Sequence, residues 1–251
     1  MNKRLVAATP VLGLGWIMGS MLRAAHRSDL PSFPNQDASG VFGDPSLPPL
    51  RIVALGDSSM TGPGVQEIDS IWIRRIARSH AGRHHVELIS LAVGGSKAQD
   101  VIEGQLAEAV DLAADIAVVS VGANDAIRGV TVSHYLSSMH HILERLGEVS
   151  GAIMVVGMGD LGSIPRLPST LRPYLTRRGR RFNAAATRAA AGHPKAIKMY
   201  AGGRMTSAFR NDLSMWAADQ FHGSDDGHRV VAEEAAAAFE LAYRIAMRRA
   251  G

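Results

Sequence analysis

From residue 51 onwards, short apolar runs alternate with longer amphipathic stretches. Uninterrupted runs of Val, Ile and Leu are typical of strands covered on both faces, whereas apolar residues at a period near 3.6 predict helices. The pattern predicts strands over residues 52–55, 86–93, 116–121, 153–158 and 196–200. It predicts helices around residues 71–81, 99–112, 132–149, 171–191 and 229–248.

Strands that alternate with helices predict a parallel sheet sandwiched between two helical layers. In such sheets the ligand crevice lies beyond the carboxyl ends of the strands. The polar segments that directly follow each predicted strand are therefore where binding or catalytic side chains are expected.

The first thirty residues have a different pattern. Residues 1–4 are basic, and residues 5–22 carry no charge, which is typical of an export signal or a signal anchor. Arg23, His26 and Arg27 crowd the end of this run and leave no clean cleavage site, which favours an uncleaved anchor. The three glycines of the run are not spaced as in a dinucleotide-binding loop.

Residues 28–50 are rich in Pro, Ser, Asp and Gly and have almost no periodic apolar pattern. This composition is typical of a linker. The predicted organisation is therefore a signal peptide or signal anchor over residues 1–27, a linker over residues 28–50 and one catalytic domain over residues 51–251.

Composition narrows the possible chemistry. The 251 residues are 46% hydrophobic and 20% charged, as in an ordinary α/β domain. The chain has no cysteine, which excludes disulfides, a thiol nucleophile and Cys-ligated metal sites. Of the net charge of +4, residues 1–30 carry +3, so the remainder is nearly neutral and does not resemble a nucleic-acid binder.

A glycine-rich turn follows the first predicted strand, where residues 56–62 read Gly-Asp-Ser-Ser-Met-Thr-Gly. Ser58 is placed at a strand-to-helix turn, where backbone N–H groups converge on a small anion. A serine at such a turn is also a common helix N-cap, so both roles stay open on this pattern alone.

Two further polar blocks follow the next strands. Residues 94–96 read Gly-Gly-Ser, and residues 122–125 read Gly-Ala-Asn-Asp. The glycines of the first block let the backbone N–H groups come close to a ligand, and Asn124 in the second block offers a carboxamide donor. Backbone N–H groups and carboxamides are the donors that form oxyanion holes.

The last block precedes the C-terminal helix. Asp219 stands three residues before His222, close enough to accept from its Nδ1–H and leave Nε2 free as a base. The same loop contains Ser224, Asp225 and Asp226, which fit an N-cap and acidic first turn of the final helix. Both interpretations are compatible, because they use different residues.

These blocks, in the order Ser, Gly, Asn and Asp-x-x-His, resemble those of the SGNH hydrolases, also called GDSL lipases and esterases. The resemblance covers residues 51–246. It implies a three-layer α/β/α sandwich with a mostly parallel, flavodoxin-like sheet, and it implies no metal ion or organic cofactor. It also implies a catalytic triad of Ser58, His222 and Asp219, as nucleophile, general base and orienter.

The resemblance further implies an oxyanion hole made by the backbone amides of Ser58 and Gly95 and the side chain of Asn124. Ser59, Ser90 and Gly223 depart from residues common in the family, which affects substrate fit more than activity. Within the same blocks, the carboxylates of Asp57 and Asp125 are expected to brace loops by hydrogen bonding.

Two groups of residues outside the blocks have simpler interpretations. The adjacent pairs at residues 84–85 and 140–141 lack the spacing of a helical zinc site, so ordinary surface or half-buried histidines are expected. Residues 161–211 contain eleven Lys or Arg and no Asp or Glu. This basic segment follows the fourth strand and is either a solvated helix face or a surface that attracts an anionic substrate or envelope.

The sequence therefore predicts a serine esterase or lipase that cleaves carboxylic esters through an acyl-enzyme. An acetyl or acyl esterase or transferase acting on cell-envelope carbohydrate is the alternative, and a catalytically silent envelope-binding domain is the rival from another class. The expected partners are small-molecule, lipid or carbohydrate esters and no nucleic acid. Residues 5–22 predict membrane association or export, with the catalytic domain outside the cytoplasm. Acyl length, alcohol part and oligomeric state stay open.

Overall fold

The computed structural model describes Gly19 and residues 27–248. Apart from Gly19 and Arg27, the predicted signal or anchor segment lies outside these residues. Within the described part of the chain, no helix combines the length and the apolar character needed to span a membrane.

The described strands form one six-stranded sheet with the order β1-β3-β2-β4-β5-β6. All neighbours pair in parallel except β1, which pairs antiparallel with β3 at the edge. Without β1 the order is that of a flavodoxin-like sheet, and the chain turns from one side of β2 to the other at the topological switch point. The strands are β1 (Gly40–Phe42), β2 (Pro49–Gly56), β3 (His85–Ser90), β4 (Ile116–Ser120), β5 (Ala152–Val155) and β6 (Ala196–Lys198).

The helices agree with the predicted positions, with two short additions after β2 and β4 and one unpredicted helix before the last. They are α1 (Ser58–Thr61), α2 (Trp72–His80), α3 (Ala98–Gly104), α4 (Leu106–Leu112), α5 (Ala123–Ile127), α6 (Val132–Val149), α7 (Arg172–Ala191), α8 (Gly203–Asn211) and α9 (Asp225–Met247).

The sheet separates two apolar cores. Alternate residues of β2 point to opposite faces of the sheet. Val53 belongs to the core that includes α3, α4, α6 and α7, and Ile52 belongs to the core that includes α2 and α9. All five residues of β4 are buried, as expected for a strand covered on both sides. The predicted three-layer α/β/α fold class is confirmed.

The linker prediction for residues 28–50 is wrong for the part that begins at Asn35. β1 adds to the edge of the sheet, with Val41 opposite Glu87, and Ala38 and Phe42 are buried. The guanidinium of Arg74 lies over the ring of Phe42. The composition of the segment did not indicate this strand, because the strand is only three residues long. Pairing at the sheet edge and packing stabilise it, and it has no apolar periodicity of its own.

The predicted helix over residues 99–112 is broken at Gln105, which ends α3 and begins α4 with a φ of −127°. Its buried side chain pairs with both backbone groups of Gly56. The Gly56 N–H donates to Oε1 at 2.8 Å, and Nε2 donates to the Gly56 carbonyl at 3.0 Å. The helix break thus gives the buried Gly56 N–H its partner and adds a second donor to the Gly56 carbonyl, which also accepts from the Val93 N–H at 3.1 Å.

The start of α2 is capped from a distant part of the chain. Its N-cap residue, Ile71, offers no side-chain acceptor, and the Trp72 N–H donates instead to Nδ1 of His228 at 3.2 Å. Burial lowers the pKa of His228 to about 4, because the charged imidazolium would lose its hydration there. A neutral His228 therefore ties α2 to α9.

We expect Gln105→Met to lower the free energy of unfolding by about 1 to 3 kcal/mol, because it leaves the buried N–H of Gly56 without a partner, while the Gly56 carbonyl still accepts from the Val93 N–H. Gln99→Met, in the adjoining helix α3, is the matched control, since within the described part of the chain the Gln99 side chain bonds only the exposed side chain of Glu103. Gln99→Met should lower the free energy of unfolding by less than about 0.5 kcal/mol. Urea unfolding of both variants measures the difference, and equal costs would contradict the role of Gln105.

His228 predicts a specific pH dependence of stability. Its pKa of about 4 in the folded chain lies below that of a free imidazole, so the unfolded chain takes up its proton first. The stabilisation is complete above about pH 6.5 and is lost as the pH falls towards 4. Between pH 7 and 5, the wild type should lose about 2 kcal/mol more than His228→Asn, which keeps an acceptor for Trp72. Parallel losses in urea titrations would refute this.

Candidate active site

Ser58 is the first residue of α1, directly after β2, and its side chain is half-buried. The N-cap of this short helix is Asp57, whose carboxylate accepts from the Ser59 N–H at 3.0 Å. Gly62 ends the helix in the left-handed region, at a φ of 53°. The serine therefore occupies a sharp strand-to-helix turn, and the N-cap role that the pattern left open belongs to its neighbour.

The turn lies against the end of the adjacent strand β4. Gly56 has a φ of 145°, and a Cβ there would lie 1.9 Å from the carbonyl oxygen of Ser120. That carbonyl accepts from the Asp57 N–H at 3.1 Å, and the hydroxyls of Ser59 and Ser120 are 2.7 Å apart. Only glycine permits this approach, which holds the serine turn against the loop that carries Asn124.

Three donors predicted for an oxyanion hole follow the ends of neighbouring strands. The N–H groups of Ser58 and Gly95 donate no hydrogen bond to the described residues. The Asn124 carboxamide is held by a 3.2 Å bond to the Ser96 carbonyl, and its contact with Asp57 is longer, at 3.4 Å. Gly95 has a φ of 85°, and a Cβ there would lie 3.3 Å from the guanidinium of Arg128.

His222 and Asp219 are joined in the loop before α9. Nδ1 of His222 lies 2.6 Å from Asp219 Oδ2, and the other carboxylate oxygen accepts from the N–H groups of Phe221 and His222 at 3.0 Å. Burial raises the pKa of Asp219, but the hydrogen bonds from His222 and these amides outweigh it and hold the pKa below its ordinary value. The ionised carboxylate thus fixes the imidazole with Nε2 turned away from it.

Ser58, Asn124 and His222 line the same cavity of about 200 Å³. Among the described residues, no hydrogen bond joins Ser58 Oγ to His222 Nε2. Catalytic hydrogen bonds are often long or unformed before the substrate binds. Most of the remaining wall is apolar. Its large side chains are Trp72, Ile127, Met158, Leu161, Ile164, Met205, Phe209, Trp216 and Phe221.

Asp57 and Asp125 are both buried, and Asp57 also lines the cavity. Burial raises the pKa of Asp57. Burial, with a smaller contribution from Asp57, raises the pKa of Asp125 to about 6, although the Ala98 N–H donates to it. Their hydrogen bonds connect the loops after β2 and β4 and the start of α3, which is the bracing role that the sequence predicted.

The segment before β1 also reaches the site, which the sequence did not predict. Asn35 accepts from the Thr61 hydroxyl at 2.6 Å, and its carboxamide lies so close to Gly94 that a Cβ there would be 2.0 Å from Oδ1. Gln36 donates to the carbonyls of Gly62 and Val65. No periodicity or motif marks these residues, whereas Gln105 could have been noticed as an uncharged polar residue on the buried side of a predicted helix.

The basic segment is not one uniform surface. Arg178 donates to the carbonyls of Ala126 and Val130 at 2.5 and 2.6 Å and lies over the ring of Phe182, so it ties α7 to α5 and to the loop after it. Other arginines of α7 are exposed, namely Arg172, Arg177, Arg180, Arg181 and Arg188. These arginines are accessible from solvent, whereas Arg178 is held by backbone carbonyls.

The chain matches the model of the GDSL-like lipase/acylhydrolase family over residues 54–230. A GDSL-like esterase of Mycobacterium tuberculosis is 30% identical over 196 residues, which are 73% of this chain. The chain spans about 60% of the length of that relative.

Solved structures have the same fold at low sequence identity. The psychrotrophic esterase EstA from Pseudoalteromonas sp. superposes with a TM-score of 0.60 at 14% identity, covering 76% of this chain and 96% of that one. A lipase/acylhydrolase from Enterococcus faecalis has a TM-score of 0.60 at 21% identity, covering 78% and 96%. The matched region contains all four blocks, and by this match the chain belongs to the GDSL-like lipase/acylhydrolase family.

Proposed function

We propose that this protein hydrolyses carboxylic esters through a covalent acyl-enzyme. The observation that carries the proposal is the 2.6 Å contact between His222 Nδ1 and the buried carboxylate of Asp219, in a loop that opens on the same cavity as Ser58. A histidine oriented in this way can activate a serine hydroxyl as a nucleophile. Membership of a lipase/acylhydrolase family supports the same reaction.

In this mechanism, His222 Nε2 accepts the proton as Ser58 Oγ attacks the ester carbonyl. The N–H groups of Ser58 and Gly95 and the Asn124 carboxamide donate to the oxyanion of the tetrahedral intermediate, and each such donor is worth about 3 to 4 kcal/mol. His222 then gives its proton to the departing alcohol. A water molecule, deprotonated by the same imidazole, releases the acid and restores the serine.

The apolar walls of the cavity favour a hydrocarbon acyl group. Ile164, Phe209 and Trp216 offer contact area next to Ser58, and burying each methylene contributes about 0.8 kcal/mol. The cavity of about 200 Å³ favours an acyl group of limited length over a long lipid chain.

The two alternatives differ from ester hydrolysis in the fate of the acyl group. A transferase would pass it from the acyl-enzyme to a carbohydrate hydroxyl instead of to water, and the same residues support that step. A silent binding domain would form no acyl-enzyme and has no need of a buried carboxylate that orients a histidine. The pairing of Asp219 with His222 therefore argues against it.

Two adjacent serines test the assignment of the nucleophile. Ser58→Ala should lose at least about a thousandfold in kcat for 4-nitrophenyl butyrate, because it removes the attacking oxygen. Ser59→Ala should keep at least about a tenth of the activity, since its hydroxyl bonds Ser120 and Asp57 and is not the proposed nucleophile. Circular dichroism should show both variants folded.

Labelling with a fluorophosphonate and mapping of the labelled peptide identify the reactive serine independently of turnover. The modified residue should be Ser58. Modification of Ser59, together with loss of activity only in Ser59→Ala, would move the nucleophile by one position. A wild type that neither labels nor hydrolyses esters would refute the proposed function.

The location of the protein stays a prediction, and we propose export or membrane anchoring through residues 5–22. The support is the uncharged run behind a basic start. Fractionation of cells that express the full chain should place it in the membrane or outside the cytoplasm. Recovery of chains with an intact N-terminus in the soluble cytosolic fraction would contradict both versions.

A further inference from the structure

A second, larger groove lies beside the apolar cavity. It has a volume of about 810 Å³ and is walled by the end of β6, by α7 and by α8. Four residues line both spaces, so the groove opens directly next to the cavity that contains Ser58. These shared residues are Met158, Gly159, Asp160 and Thr206.

The groove contrasts with the cavity in the side chains that it offers. Hydroxyl and amide groups from α7 and α8 replace the aromatic and aliphatic wall, and they include Thr187, Thr206, Ser207 and Asn211. Tyr200 stands at the edge with 78% of its surface exposed. Such a lining suits a ligand with several hydroxyl groups better than a hydrocarbon chain.

Three cations line the groove, and one of them is neutralised. Arg210 pairs with Asp160 at 2.5 Å, and that carboxylate is also occupied by the Thr176 hydroxyl and the Gly162 N–H. Asp160 therefore has no remaining capacity to balance another charge in the groove.

The other two cations, Arg180 and Lys198, form no ion pair with an acidic residue in the described part of the chain. The Lys198 ammonium donates to the Met199 carbonyl at 2.7 Å, and a Cβ on Gly157 would lie 2.7 Å from Nζ. Gly157 lines the catalytic cavity, so this ammonium lies at the boundary of the two spaces. Burial lowers the pKa of Lys198 to about 8, as expected for an ammonium without a carboxylate partner.

The acid-free stretch of the sequence accounts for this surplus of positive charge. Residues 161–211 supply α7, β6 and α8, and they contain no Asp or Glu. Of the groove residues, only Asp160, just outside that stretch, is acidic. An anion that enters the groove therefore meets two cations that have not been neutralised by the protein.

Resting on the proposed ester hydrolysis, we propose that the groove binds the alcohol part of the substrate and that this part is hydroxylated and carries a phosphate or a carboxylate. The acyl group occupies the apolar cavity on one side of Ser58. The alcohol extends past Thr206 into the groove, where Arg180 and Lys198 contact its anionic group.

The test compares butanoyl esters that share the acyl group and differ in the terminal group of the alcohol, which is neutral or anionic. They are 1-butanoylglycerol as the neutral substrate, its 3-phosphate, and 3-butanoylglycerate, so that the phosphate and carboxylate versions are separate arms. Arg180→Gln and Lys198→Met are the test variants. Arg181→Gln is the matched control, because Arg181 is exposed on the same helix but does not line the groove.

For the preferred anion, the ratio of its kcat/KM to that of the neutral ester should fall at least about tenfold in Arg180→Gln and in Lys198→Met. It should stay within about twofold in Arg181→Gln. Added salt should reduce the wild-type preference. An unchanged ratio in both test variants would overturn the inference, and so would an equal fall in Arg181→Gln, which would indicate only the general positive field.

A binding measurement separates this inference from the proposed function. If the wild type hydrolyses the neutral ester but shows no preference for either anion, the groove inference fails while ester hydrolysis stands. If the wild type hydrolyses no ester, calorimetric titration of Ser58→Ala with glycerol 3-phosphate decides. Binding that is weakened by adding Arg180→Gln and not by adding Arg181→Gln supports the groove, and absence of binding overturns it.

Discussion

The site depends on how closely the backbone of Gly56 approaches the backbone of Ser120. No side chain fits between them, since a Cβ would lie 1.9 Å from the Ser120 carbonyl oxygen. Gln105 supports the approach by accepting from the N–H of Gly56 and donating to its C=O. Because Ser58 lies two residues after Gly56 and Asn124 four residues after Ser120, this close approach brings the serine turn and the loop of the carboxamide donor together.

Buried charge stabilises the loops around that contact at an energetic cost. Asp57 and Asp125 are nearly inaccessible, and burial raises the pKa of both carboxyl groups. The carboxylate of Asp57 nevertheless accepts from the Ser59 N–H and contacts the Asn124 carboxamide, and the carboxylate of Asp125 accepts from the Ala98 N–H. Asp219 is the opposite case, because its hydrogen bonds overcome burial and keep it ionised. The carboxylate that faces His222 is therefore the one whose negative charge the protein stabilises.

The features that the sequence predicted are those with a local signature. Uninterrupted apolar runs mark β2 and β4, and the spacing of Asp219 and His222 marks a loop that can fold back on itself. The missed features depend on contacts between distant parts of the chain. His228 caps a helix more than 150 residues away, and Arg178 binds carbonyls about 50 residues earlier. The residues next to His228 and Arg178 in the sequence do not indicate which distant group each of them contacts.

Asn35 and Gln36 change the extent of the functional unit of this protein. They precede the family match, which begins at residue 54, yet they bond the turn after Ser58 and cover Gly94. A recombinant fragment trimmed to the shared family region would retain every catalytic block and still lack β1 and this support. Exchanging residues 54–230 between relatives would meet the same difficulty. The segment that supports the catalytic turn begins before the region that the family match covers.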